Sequence, residues 1–297
     1  MATQAFDLAL IQLGNVSGSK EHNLQHAREM VVKAAAGDGN FKPRVVVLPE
    51  CFNSPYGVKY FPEYAEKIGF QNDQQYDVEK SQSDSIKMLS SVAKETGVWL
   101  VGGSIPERDV SDNSVLYNTS TIYSPEGKLV GIHRKVHLFD IDIPGKITFQ
   151  ESKVLTGGSQ ITQIDTDVGR LGVAICYDVR FPELAMIAAR QGCAAMIYPG
   201  AFNLTTGPLH WELLARGRAV DNQIYVAMCS PARDTSADYH AWGHSMIVDP
   251  LGKVVTEADE AERIVYARID PEAIKEARKN IPVTIQRRFD VYPDVSA

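Results

Sequence analysis

Three polar side chains stand at the ends of otherwise apolar runs. Glu50 follows Val45-Val46-Val47-Leu48-Pro49, Lys135 sits inside His133-Arg134-Lys135-Val136-His137, and Cys176 follows Leu171-Gly172-Val173-Ala174-Ile175. Taken singly, each has a bland reading: a solvated loop glutamate, one charge of a surface cluster, a small buried hydrophobe. Taken together they supply what acyl transfer to sulfur requires. A thiol needs a base, and a carboxylate held in a dry pocket can have its pKa raised into that role. The tetrahedral intermediate carries an oxyanion, which a fixed ammonium and backbone N–H groups can stabilise. Pro182 lies where the first turn of a helix would hold it, so Cys176 falls on a strand-to-helix turn whose amides would favour a thiolate. A Cys-His pair stays open through His137, His210, His240 and His244. No metal site is expected, because Gly243 interrupts His240 and His244 and no His-Glu-x-x-His pattern occurs.

Positioning these groups falls to strands alternating with helices. Strands are expected at Phe6 to Leu13 and Arg44 to Leu48, with a helix between them capped by Asn23 and buried through Leu24, Ala27, Val31 and Ala34. Phe52 to Asp77 reads as a long irregular excursion, and a helix follows from Ser83 to Thr96, stopped by Gly97. Trp99 to Ile105 reads as a strand, and the turn Ser124-Pro125-Glu126-Gly127 joins Tyr117–Tyr123 to Lys128–Val136 as a hairpin. His137 to Gly158 is expected to be irregular, followed by strands at Gln160–Asp165 and before Cys176. Helices then cover Pro182–Gln191 and Leu209–Asn222, with strands at Ala194–Tyr198 and Gln223–Cys229. A second hairpin turns at Asp249-Pro250-Leu251-Gly252, which hints at two similar halves; a strand at Ile264–Arg268 and a helix at Pro271–Lys279 close the order. The pattern is α/β with mixed sheets covered by helices, and periodicity alone leaves the packing of sheet on sheet open. No linker or low-complexity segment appears, so residues 1–297 read as a single domain with 281–297 as a C-terminal tail.

Composition narrows the function. A net charge of −7 argues against a general nucleic-acid or anionic-membrane surface, so an anionic substrate would need a local Arg or Lys. Cys51, Cys176, Cys193 and Cys229 form neither a disulfide framework nor a zinc pattern, which suggests a reducing compartment. The N-terminus lacks a basic and apolar leader, and no apolar stretch reaches the ~20 residues of a membrane helix. A soluble, cytoplasmic protein is expected, with a mitochondrial pool left open.

Val47-Leu48-Pro49-Glu50, His133-Arg134-Lys135-Val136-His137-Leu138-Phe139 and the run from Gly172 through Cys176-Tyr177-Asp178-Val179-Arg180-Phe181-Pro182-Glu183 resemble the three signature segments of the nitrilase superfamily, the carbon-nitrogen hydrolases. They come in the family order and spacing, and the resemblance spans essentially the whole chain. It implies a four-layer α-β-β-α sandwich and a Glu-Lys-Cys triad: Glu50 as general base, Lys135 as stabiliser of the intermediate, Cys176 as nucleophile. Glu151 matches a further family glutamate that orients the lysine and positions substrate or water. Cys176-Tyr177-Asp178 replaces the Cys-Trp-Glu usual in enzymes of true nitriles and favours an amidase. The segments from Tyr198 to Trp211, from Ala219 to Val226 and from Cys229 to Arg233 are similar to the omega-amidase branch, which hydrolyses the terminal amide of 2-oxoglutaramate and 2-oxosuccinamate. Amidases of deaminated glutathione and other small-molecule amide or carbamoyl hydrolases are the alternatives. By the same analogy Arg180 is the candidate clamp for the substrate carboxylate and Tyr177 supplies an oxyanion N–H. Tyr56 could line the pocket, and Phe202, Thr205 and Thr206 lie near the acyl site. No cofactor is implied. A small-molecule amide is the expected partner, together with a second copy of the chain in a homodimer, for which the alternating Phe289, Val291 and Tyr292 in the polar tail offer support.

Overall fold

A computed structural model describes residues 4–71 and 74–296. The first half runs β1 (Phe6–Gln12), α1 (Lys20–Ala36), β2 (Pro43–Val47), α2 (Phe61–Tyr64), α3 (Asp84–Thr96), β3 (Trp99–Val101), β4 (Ile105–Arg108), β5 (Leu116–Tyr123), β6 (Leu129–Arg134), β7 (Asp140–Ile143) and β8 (Ile147–Gln150). The second runs β9 (Thr162–Thr166), β10 (Gly169–Val173), α4 (Pro182–Arg190), β11 (Ala195–Pro199), α5 (Gly207–Asn222), β12 (Tyr225–Cys229), β13 (Met246–Val248), β14 (Val254–Glu257), β15 (Arg263–Ile269) and α6 (Pro271–Asn280).

Two mixed sheets result. One has seven strands in the order β15-β1-β2-β3-β5-β4 with β6 also on β5, and the other has six in the order β14-β13-β12-β11-β10-β9. Each is built on three parallel strands, β1-β2-β3 and β10-β11-β12, joined by helical crossovers and flanked by antiparallel neighbours. Alternation along the strands assigns the layers. Leu8, Leu10, Val45 and Val47 meet Leu171, Val173, Ile197 and Ala227 between the sheets. Ala9, Ile11, Val46 and Leu100 face α1 and α3 through Ala27, Val31, Leu89 and Val92. Met196, Tyr198, Val226 and Met228 face α4 and α5 through Ala185, Ala188, Trp211 and Ala215. The chain is therefore a four-layer α-β-β-α sandwich, with each buried Leu, Ile or Val contributing roughly 1.5–3 kcal/mol. Among the described residues no helix is long and apolar enough to cross a membrane.

Three local expectations are corrected. Ser19, not Asn23, caps α1: its hydroxyl accepts from His22 N, while the buried Asn23 amide ties Ser17 to the Asn53 carbonyl. The strand expected over Trp99 to Ile105 is broken into β3 and β4 at Gly103, whose φ of +57° brings it against Pro49 O; a Cβ there would lie 2.1 Å from that oxygen. The segment 137–158 is not irregular throughout, since Ile141, Ile143, Ile147 and Phe149 alternate with polar residues and pair as the β7–β8 hairpin. Beyond α6 the chain lies along the second half, where Arg287 donates to Asp221 O and Arg190 pairs with Asp294. Phe289, Val291 and Tyr292 are exposed on it.

Candidate active site

Glu50 follows β2, Lys135 follows β6, and Cys176 opens a short 3₁₀ turn (Cys176–Arg180) between β10 and α4. Strand ends bring the three to one place although they are far apart in sequence. Lys135 is wholly buried, and its Nζ donates to Glu50 Oε1 and to Glu151 Oε1, both at 2.9 Å. The Asn118 amide, on β5, also donates to Glu50 Oε1 at 2.8 Å, and its backbone carbonyl accepts from Lys135 N at 2.8 Å. Glu151 is fixed twice more, by Tyr56 OH at 3.0 Å on Oε1 and by Phe139 N at 2.7 Å on Oε2. Just before Lys135, Arg134 makes a two-pronged pair with the buried Glu107, at 2.9 and 2.7 Å, and lies over the Tyr117 ring. That pair locks the end of β6.

Cys176 takes a positive φ of +45°, uncommon for a side chain larger than glycine, which aims its sulfur out of the strand line. Asp178 holds this elbow by accepting from Ile175 N and from His133, while also accepting from His137 N and Nδ1. Burial works against the Asp178 charge, but the two histidines and the Ile175 amide more than offset it and keep its pKa below the ordinary range. The Cys176 sulfur accepts from Ala201 N at 3.4 Å, and Gly200 passes so close that a Cβ there would sit 3.1 Å from Cys176 Cα.

The electrostatics divide cleanly. Burial raises the Cys176 thiol well above its ordinary value, and the Glu50 carboxylate adds to this against Lys135. Burial thus opposes the thiolate that helix amides would favour, and the thiol calls for a base. Burial also raises Glu50, with Lys135 opposing and Glu151 assisting. Its second oxygen, Oε2, is buried without a hydrogen-bond partner. For Lys135 burial opposes the charge, but Glu151 and Glu50 overcome it and hold the ammonium firmly protonated.

Around this cluster the other expected residues separate. Tyr56 is in it, through Glu151 and through its ring, 4.4 Å from that of Tyr239. Tyr177 packs on Phe139 and Phe181. Arg180 lies over the Phe202 and Tyr177 rings, at 4.8 and 5.4 Å, with Nη1 on His210 Nδ1 and Nε unpartnered. It makes no ion pair with a carboxylate among the described residues, and burial lowers its pKa. Thr205 and Thr206 are not part of the cluster; Asn203 Oδ1 accepts from both backbone N–H groups and from the Thr206 hydroxyl, fixing the entry to α5. The Cys-His alternative finds no contact: His137 serves Asp178, His210 meets Arg180 and His244 meets Glu257. No group of side chains among the described residues could hold a metal ion. A cavity of about 260 Å³ reaches the cluster on the side of Glu50, Tyr56 and Tyr239, a size suited to a small molecule; Cys176 does not line it.

Two residues of the site carried no motif. Asn118 could have been suspected as an asparagine in the middle of a buried strand, where its propensity is poor. Tyr239 gave no signal, since aromatic residues beside Gly and His are common in loops.

Residues 7–279 match the carbon-nitrogen hydrolase family. The chain is 52% identical to Omega-amidase NIT3 of Saccharomyces cerevisiae, over 99% of this chain and 97% of that protein. It is likewise 52% identical to Omega-amidase NIT2 of Homo sapiens, over 97% of each. Among solved structures, Nit3 of Saccharomyces cerevisiae, described as a member of branch 10 of the nitrilase superfamily, superposes with a TM-score of 0.86 at 49% identity, covering 97% of this chain and 98% of that one. By match, fold and site together, the chain belongs to the carbon-nitrogen hydrolase family.

Proposed function

We propose that the chain is an omega-amidase, cleaving the terminal amide of a short 2-oxo dicarboxylic monoamide such as 2-oxoglutaramate or 2-oxosuccinamate. The observation that carries this is a buried Cys176-Glu50-Lys135-Glu151 cluster near a half-buried Arg180 that has no carboxylate partner among the described residues. The relatives named omega-amidase support the choice of substrate.

In the acylation half, Glu50 takes the proton of the Cys176 thiol as sulfur attacks the amide carbon. The oxyanion that forms is met by the Lys135 ammonium and by backbone N–H groups, Tyr177 among them. Collapse breaks the C–N bond, and the proton on Glu50 passes to the departing nitrogen, which leaves as ammonia. In the second half Glu50 removes a proton from water, which attacks the thioester; the acid is released and the thiol reforms. Glu151 keeps Lys135 charged and aimed throughout. Arg180 grips the far carboxylate in a charge-assisted fork, with Phe202 and Tyr177 flanking it. Thr205 and Thr206 serve by holding the turn that carries this wall, and Tyr56 lines the pocket while orienting Glu151.

The decisive assay compares ammonia release from 2-oxoglutaramate, deaminated glutathione and simple nitriles. The first is expected to be turned over most efficiently; preference for either of the others would sink the assignment. Residues 1–297 are taken to act as one catalytic domain with 281–297 as its tail. A homodimer is the second part of the proposal, supported by Leu209, Leu213 and Val220, which stand exposed on the outer face of α5. Light scattering at micromolar concentration should give twice the monomer mass, and a monomer would end that idea.

A further inference from the structure

Loop 231–242, between β12 and β13, brings Tyr239 to the site. The Tyr239 hydroxyl donates to the Ala201 carbonyl, and the N–H of that same Ala201 donates to Cys176 Sγ at 3.4 Å. The Tyr239 ring leans on Tyr56, 4.4 Å away, whose hydroxyl holds Glu151. A pair of contacting phenols thus reaches both sides of the chemistry, the sulfur through Ala201 and the lysine through Glu151. The loop around Tyr239 grips the same stretch through backbone: Trp242 N donates to Phe202 O at 2.7 Å, and Ala241 pairs with Asn203. On its outer side Asp238 takes hydrogen bonds from Tyr60 and Lys59, both at 2.6 Å, which ties the loop to the excursion after Glu50. Within this clamp the Tyr239 bond is made by a side chain, so it can be deleted without disturbing the backbone.

We propose that Tyr239 is a positioning residue: by holding the Ala201 carbonyl it fixes the Ala201 N–H on the Cys176 sulfur, and so governs attack by the thiol rather than affinity for substrate. The inference rests on the reading of Cys176 as nucleophile.

The test is Tyr239→Phe, which removes one oxygen and leaves the ring on Tyr56. It should lower kcat about fivefold and leave KM within about twofold, inside the range of one neutral hydrogen bond. Alkylation of Cys176 by iodoacetamide, followed by mass spectrometry with no 2-oxo amide substrate present, should slow by a similar factor. Its pH profile should move to higher pH, because the thiolate loses a fixed donor. A variant with unchanged kcat and alkylation and merely a lower Tm would make the bond structural and overturn the proposal. A raised KM at constant kcat would overturn it too, by making Tyr239 a substrate contact. The alkylation arm is independent of substrate, so wild-type protein that fails on 2-oxoglutaramate would reject the omega-amidase reading and still report on Tyr239.

Discussion

Cys51 and Cys176 each stand just past a parallel strand, Cys51 past β2 in the middle of its trio and Cys176 past β10 at the end of its own. Each is buried, and each has a positive φ, +52° and +45°. Both thiols are raised well above their ordinary values, first by burial and then by the same Glu50 carboxylate. Their surroundings differ. Cys51 packs into an apolar cluster with Phe61, Leu116 and Leu155, and its N–H is held by the Ser104 hydroxyl. Cys176 has the Ala201 N–H on its sulfur and faces a site where a cation and two carboxylates converge. Burial, strain, a perturbed pKa and a donor on the sulfur, the Ser104 hydroxyl at 4.0 Å in the case of Cys51, are therefore shared and do not distinguish a nucleophile. An ammonium placed for the oxyanion does.

The sharpest way to break this comparison is to exchange the roles. Cys176→Ala should cost on the order of 10⁴-fold or more in ammonia release, as loss of a nucleophile does in acyl-transfer enzymes. Near-normal turnover would mean that Cys51 or water can replace it. Next in size is Lys135→Met, expected to lower kcat by roughly 10²–10³-fold, the effect of removing one oxyanion donor; an effect confined to KM would contradict its role. Arg180→Ala should raise KM roughly 10–100-fold, the worth of a hydrogen bond to a charged group, with a smaller change in kcat. A truncated amide lacking the far carboxylate should be insensitive to this substitution, which a double comparison of the two substrates would reveal.

The pH profile tests the shared carboxylate. Glu50 acts as base when ionised, and its pKa is raised chiefly by burial. Activity should accordingly fall as pH drops through a value above the ordinary glutamate range, and an acid limb at or below that range in kcat/KM would contradict the assignment. The smallest effect is expected from Cys51→Ser. Turnover should stay within about twofold and Tm should fall by no more than about a few degrees, as for a modest change in an apolar cluster.

Much of this was legible before any coordinates. The apolar runs ending at Glu50 and Cys176 are strong signals because strands buried on both faces end where a side chain can reach a cleft, whereas Lys135, in a basic cluster after the half-exposed β6, is marked by its motif alone. The helix stop at Gly97 and the helix start at Pro182 are likewise local and hence readable. What escaped depends on partners distant in sequence. Asn118 meets Glu50 across one strand pair, and Tyr239 meets Ala201 from another loop, contacts that no periodicity encodes. The burial of the Cys176 thiol escaped for the same reason: local helix amides favour ionisation, whereas burial by the whole fold opposes it. The β7–β8 hairpin is different, since its alternating isoleucines about Pro144-Gly145 were present in the chain and outweighed by the polar residues between them.

The pairing of β15 with β1 has a consequence for how the protein comes into being. Phe6 lies opposite Ile269 and Gln12 opposite Arg263, so one edge of the first sheet is closed by a strand synthesised long after β1. Until it emerges from the ribosome, β1 presents an open row of backbone donors and acceptors. Long-range closure of this kind slows folding and lengthens exposure to mispairing. Chains cut before residue 263 would keep every group of the candidate site and still be prone to aggregate, leaving the final strand as guardian of a sheet whose chemistry it never touches.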